Sequence, residues 1–157
     1  MLAFLLAGCI NPFAPKLDEN LGKEGSLISD QKKVEGIFQN LQYAYTFKDT
    51  SIYGGLLSND FTFVYRDYNL GVDVSWGRDE EMKVTHGLFE NSQRLDLVWN
   101  NIVTTTADST NIIRSFNLTI TFNPTDIVFI DGRINLSLKK FPDDKWMITR
   151  WVDESNF

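Results

Sequence analysis

A single cysteine and a single histidine in 157 residues close off several kinds of chemistry at once. With Cys9 alone, no disulfide can form within the chain. With His86 alone, there is no Cys/His set of the kind that holds zinc, so the sequence implies no metal and no cofactor. Positive charge is also scarce, 15 Lys and Arg against 21 Asp and Glu, for a net charge of −6. That sign argues against nucleic acid, which selects for clustered Lys and Arg, and against electrostatic docking on anionic lipid. No apolar run approaches the roughly 20 residues that a membrane-spanning helix needs. Aromatic residues are what the chain has in quantity: twelve Phe, five Tyr and four Trp, enough for a sizeable core in a single domain.

The one cysteine stands in an informative place. Leu6-Ala7-Gly8-Cys9 follows a short apolar run and resembles a bacterial lipobox, the motif that directs lipid onto the thiol and cleavage just before it. Residues 1–8 then read as a truncated lipoprotein signal segment. Residues 9–26 read as the lipidated cysteine and a flexible tether, since Asn11 to Gly25 holds two prolines, two glycines and mixed charge without apolar periodicity. The domain occupies residues 27–157. The bland alternative for Cys9 is a small buried hydrophobe; its position before a polar tether speaks against that. Acyl chains on one cysteine anchor with about 0.8 kcal/mol per buried methylene. The expected location is therefore the cell envelope. Because Ile10 is not the aspartate that retains lipoproteins on the inner membrane, the outer membrane facing the periplasm is expected where the organism has one.

Within the domain, helical spacing comes first. Ser29 or Asp30 can cap a helix in which Val34, Ile37, Phe38, Leu41, Ala44 and Tyr45 share a face, over residues 33–47. Thr50 or Ser51 can cap a short second helix, 52–57, whose Gly54-Gly55 permits close packing. Ser58-Asn59-Asp60 reads as a turn into a strand over 61–67, with Phe61, Phe63, Tyr65 and Asp67 on one face. A loop over 68–77 leads to a third helix, 79–89, opened by Asp79-Glu80-Glu81, whose charges suit a helix start rather than a metal.

From Gln93 the period changes to two. Leu95, Leu97 and Trp99 share one strand face; Ile112, Arg114, Phe116, Leu118, Ile120 and Phe122 share another. A third strand covers 133–141, with Ile134, Leu136 and Leu138 inward, and Pro142-Asp143-Asp144 turns into a last strand, 145–153. Opposite parity puts Trp146 and Trp151 on opposite faces of that strand. Helices followed by antiparallel strands indicate the α+β class.

This order of elements resembles the nuclear transport factor 2-like superfamily, which includes ketosteroid isomerases and SnoaL-like cyclases. The carriers are Phe47-Lys48-Asp49 through Leu56-Leu57-Ser58-Asn59-Asp60-Phe61, and the ending Lys145-Trp146-Met147-Ile148-Thr149-Arg150-Trp151-Val152-Asp153. The resemblance implies a cone: a strongly curved, cystatin-like antiparallel sheet packed around N-terminal helices, with an apolar pocket inside. It does not carry the isomerase chemistry across. The general-base position falls at Tyr65 and the dienolate-stabilising tyrosine at Leu41, while the remaining acid lies near Asp126. A phenol with pKa near 10 is a poor proton acceptor at neutral pH. The dehydratase branch uses supported histidines, and His86 alone cannot supply them.

No catalytic set is therefore assigned. Candidate pocket residues are Tyr45, Phe63, Tyr65, Asp67, Trp99, Arg114 and Phe116. Arg114 is the anomaly, a cation among apolar residues. It either grips a ligand carboxylate or pairs with Asp67 or Asp96 or lies at a strand end. His86 reads as a helix-end residue. Asn117-Leu118-Thr119 and Asn135-Leu136-Ser137 match the glycosylation pattern by chance. The expected function is a lipid-anchored, non-catalytic binding module with a pocket for a small apolar or weakly acidic ligand, and dimerisation through the sheet with Trp151 facing out. The alternative is a cyclase, isomerase or hydratase working through Tyr65, Asp67 and Arg114.

Overall fold

A computed structural model describes residues 27–155; Cys9, the tether and the signal segment lie outside the described residues. The elements run α1 (Glu35–Phe47), α2 (Thr50–Leu56), β1 (Leu57–Asp67), β2 (Val72–Gly77), α3 (Arg78–Asn91), β3 (Arg94–Thr105), β4 (Asn111–Asn123), β5 (Asp126–Lys140) and β6 (Trp146–Ser155). The strands form one sheet in the order β2-β1-β6-β5-β4-β3. Every neighbouring pair is antiparallel except β1 and β6, which run parallel. The α+β class holds, with that one parallel seam where the last strand returns beside the first.

The predicted face of α1 is the buried one: Ile37, Phe38, Leu41 and Ala44 have almost no exposed surface. The helix opens later than expected, at Glu35, and Val34 offers no side-chain cap. Ser29 and Asp30 do not cap it. Instead Ser29 is tied to the buried Asn40, donating from its backbone N to Oδ1 at 2.7 Å and accepting from Nδ2 at 3.0 Å. Ser29 Oγ fills the space where a side chain on Gly36 would begin. Lys48 ends the helix in the left-handed region at φ 55°. The cap of α2 is Asp49, whose carboxylate accepts from Ser51 N and Ile52 N, not Thr50 or Ser51.

Three strand boundaries depart from the sequence pattern. Residues Ser58-Asn59-Asp60, expected as a turn, belong to β1, whose register against β6 shifts between Leu57 and Thr62. Most of the expected 68–77 loop is β2, an edge strand paired with β1 from Thr62↔Gly77 to Asp67↔Val72. β5 begins seven residues earlier than expected, at Asp126 rather than Arg133. The alternation that marks a strand is broken by the polar run Ser58-Asn59-Asp60 in β1 and by consecutive, exposed Ile127, Val128 and Phe129 in β5, whereas Val72, Val74 and Trp76 of β2 do alternate.

A fourth departure is a matter of one residue. Ser137 pairs with Arg150 but Leu138 pairs with Ile148, so Thr149 is an extra residue in β6. Such a bulge bends the strand and reverses the facing of everything beyond it. Trp151 is therefore buried with Ile148, contrary to the outward position its parity predicted. Further register shifts lie in β3 near Ile102. The core lies between the helices and the inner sheet face, where Leu95, Leu97, Ile134, Leu136 and Ile148 meet α1 and α2. Each such side chain contributes about 1.5–3 kcal/mol by burial.

Candidate functional site

Near one end of that core the packing opens into a cavity of about 410 Å³, within the usual size of ligand pockets. All nine elements contribute to its lining. Its walls are largely aromatic. The pairing of Phe63 with Trp76 across β1 and β2, and with Trp151 across β1 and β6, sets three rings side by side. Phe63 stacks on Trp76 with centroids 4.7 Å apart, and Trp151 lies 6.0 Å from Phe63. Leu97, Trp99, Phe116, Leu118 and Ile120 form the opposite wall.

Two carboxylates interrupt this apolar surface. Glu81, only 4% exposed, projects from α3 one turn before Thr85, so both face inward. It is held by uncharged donors: Tyr53 Oη donates to Oε1 at 2.6 Å, Thr85 Oγ1 to the same oxygen at 3.1 Å, and Trp76 Nε1 to Oε2 at 2.6 Å. Asp153 accepts from Ser155 N at 3.0 Å and from Ser155 Oγ at 2.9 Å. Burial raises the Asp153 carboxyl above its ordinary pKa against the pull of those bonds, and the charges of Glu81 and Glu154 push it further. Burial, then the charges of Glu81 and Asp153, raise the Tyr45 phenol. Burial, then Tyr45 and Glu81, raise Tyr53 in the same direction. Both phenols stay protonated donors at neutral pH. Trp151 Nε1 is buried and has no hydrogen-bond partner among the described residues.

Of the residues expected at a pocket, Tyr45, Phe63, Tyr65, Trp99 and Phe116 line this cavity. Trp99 is fixed there by donation from Nε1 to Phe38 O at 2.8 Å. Asp67 is not among the lining residues. Its Oδ1 accepts from Asn69 N and Leu70 N, each at 2.9 Å, and so shapes the turn between β1 and β2, beside a neighbouring depression that shares Tyr65, Asp153 and Ser155 with the cavity. Arg114 is also outside the cavity, and neither Asp67 nor Asp96 is its partner. Its Nη1 donates to both Glu35 oxygens at 3.0 and 3.2 Å, its Nε to Asn100 O at 3.0 Å, and its guanidinium lies 4.7 Å from the Phe38 ring centre. Asp96 pairs with Arg94 instead. Arg114 thus ties α1 to β3 and cannot grip a ligand inside.

Glu81, Asp153, Tyr53 and Trp76 escaped the sequence reading. Glu81 was legible only as part of an acidic helix start, Trp76 sat in a stretch taken for loop, and the facing of Asp153 depends on the Thr149 bulge. Leu41 is core, Asp126 is exposed, and so is His86. Among the described residues, no group of three His, Cys, Asp or Glu is placed to hold a metal.

The sequence matches no family model and no curated relative. Solved structures do match. The chain is similar to the Kfla4162 protein of Kribbella flavida, with TM-score 0.67 and 9% identity over 82% of this chain and 91% of that one. It is similar to a candidate scytalone dehydratase of Novosphingobium aromaticivorans, with TM-score 0.66 and 14% identity over 79% and 82%. A nuclear transport factor 2-like protein of unknown function from Exiguobacterium matches with TM-score 0.56 and 14% identity over 76% and 98%. Identities this low carry the architecture and not the chemistry. The chain has the nuclear transport factor 2-like fold.

Proposed function

We propose that the domain is a binding module that seats a small, largely apolar molecule in this cavity, held in the cell envelope by lipid on Cys9. The observation that carries the reading is the aromatic-walled space of about 410 Å³ between the helices and the sheet. A ligand that fills it gains about 25 cal/mol for each Å² of apolar surface removed from water. The test is titration of the full chain with N-phenyl-1-naphthylamine, an uncharged aromatic whose fluorescence rises on leaving water. Saturable binding is expected, and Ile120→Trp, which fills the cavity, should abolish it. No saturable binding, or binding indifferent to Ile120→Trp, refutes the reading.

Dimerisation through the sheet is part of the same proposal, with a different contact from the expected one. Trp151 is spent inside, and the outer face offers Val98, Ile127 and Phe129 instead. Ultracentrifugation that finds only monomer at high concentration removes it. A second reading, an acid–base enzyme, is favoured by one observation: Asp153, a carboxyl whose pKa is raised, shares the cavity with Glu81. In that case Glu81 and Asp153 replace Asp67 and Arg114 as the working groups. Turnover of an enolisable or hydratable substrate, lost in Asp153→Asn, is its test.

A further inference from the structure

We propose that the cavity selects an organic ammonium: a protonated amine on an apolar body, held by the Glu81 and Asp153 carboxylates and walled by Phe63, Trp76 and Trp151. This rests on the reading of the cavity as a binding site and goes further by fixing the charge of what binds.

Charge balance is the first ground. Glu81 and Asp153 both line the space, and no Lys, Arg or His does among the described residues. Of the basic residues flanking Glu81 on α3, Arg78 donates from Nη2 to Gly54 O at 3.0 Å, and Lys83 pairs with Glu80. A buried carboxylate such as Glu81, or a half-buried one such as Asp153, is costly without a countercharge. A ligand that brings a cation removes that cost, and a carboxylate ligand would add to it. The weakly acidic ligand expected from the sequence therefore does not suit this lining.

Unused acceptor capacity is the second ground. An ionised carboxylate accepts about four hydrogen bonds. Glu81 receives three, and Asp153 receives two from Ser155. The three N–H groups of a primary ammonium match what remains.

The walls supply the third ground. Phe63 and Trp76, stacked with 4.7 Å between centroids, and the adjacent Trp151 line the cavity together, and tryptophan is the strongest cation–π partner.

The experiment compares three ligands of one shape on the full chain at pH 7: 2-naphthylmethylamine, 2-naphthylmethanol and 2-naphthoate. N-phenyl-1-naphthylamine serves as the uncharged reference. The amine should bind at least about tenfold more tightly than the alcohol, and the carboxylate most weakly of the three. Glu81→Gln and Asp153→Asn should each lower the amine-to-alcohol ratio, while Asp126→Asn, at the exposed start of β5, should keep it. If the uncharged reference binds but the alcohol or the carboxylate equals the amine, the inference is overturned and the binding site stands. If the uncharged reference does not bind, the site itself is refuted and this inference with it.

Discussion

Removing one oxygen atom tests whether Glu81 is held in place as the geometry indicates. Tyr53 is 1% exposed and spends its hydroxyl on Glu81 Oε1 at 2.6 Å. Tyr53→Phe keeps the ring and its edge contacts with Tyr45 and Phe89, centroids 6.1 and 6.2 Å away. The loss is then almost wholly the hydrogen bond. A buried bond to a charged group contributes about 1.5–3 kcal/mol, and the carboxylate left behind still has Thr85 and Trp76. A cost of about 2 kcal/mol is expected, read as a lower urea midpoint at pH 7 with an unchanged m-value. The decisive measurement is the double-mutant cycle with Glu81→Leu. In that background the Tyr53 hydroxyl has lost its acceptor, so Tyr53→Phe should cost far less, giving a coupling of about 1–2 kcal/mol. Equal costs in the two backgrounds would mean that the phenol and the carboxylate do not interact, and the account of the polar wall would fail.

Other outcomes follow from single contacts. Because Asp153 has a raised pKa in the folded state, its stabilising contribution is present below the unfolded value, near 4, and is lost as pH rises through the folded value. Asp153→Asn should therefore raise the Tm at pH 7 relative to wild type, with the gap closing at about pH 3; a gap that widens in acid would contradict this. Gly132→Ala would drive a Cβ into Ser155 Cα on β6 and to 2.8 Å from Ser155 Cβ. Neither neighbour is the far end of a flexible chain, so a loss of about 3 kcal/mol is expected on thermal unfolding. Arg114→Met keeps the packing on Phe38 and loses the pair with a largely exposed Glu35. It should cost about 1 kcal/mol and leave N-phenyl-1-naphthylamine affinity as it was, since Arg114 lines no part of the cavity. Cys9→Ser should move the protein from the membrane fraction to the soluble fraction, and mass spectrometry of the wild-type amino end should find acylated Cys9; an unmodified Met1 on soluble wild-type protein would end the anchoring proposal.

How far the sequence reached is clearest residue by residue. The buried stripe of α1 was legible because Ile37, Phe38, Leu41 and Ala44 repeat at three and four, a period that only a helix turns to one side. The inner faces of β4 and β5 were legible for the matching reason, since Ile112, Phe116, Leu118 and Ile120, broken only by Arg114, and then Ile134, Leu136 and Leu138, alternate. From such faces one can infer an α+β sheet with helices on one side, and five aromatic residues of the cavity lining. β2 was missed although Val72, Val74 and Trp76 alternate with Asp73, Ser75 and Gly77, because the stretch is short, bounded by Gly71 and Gly77, and mostly exposed at the sheet edge.

Local pattern determined which segments are helix or strand and which of their faces are apolar, because those depend on neighbours within a few residues. The tertiary structure alone decided which polar groups share the interior. Thr149 as a bulge turned Trp151 and Asp153 inward, the packing of α2 on α3 brought Tyr53 to Glu81, and the approach of α1 to β3 drew Arg114 onto Glu35. Each of these joins residues distant in the chain or turns on one residue of register, and neither leaves a periodic trace in the sequence.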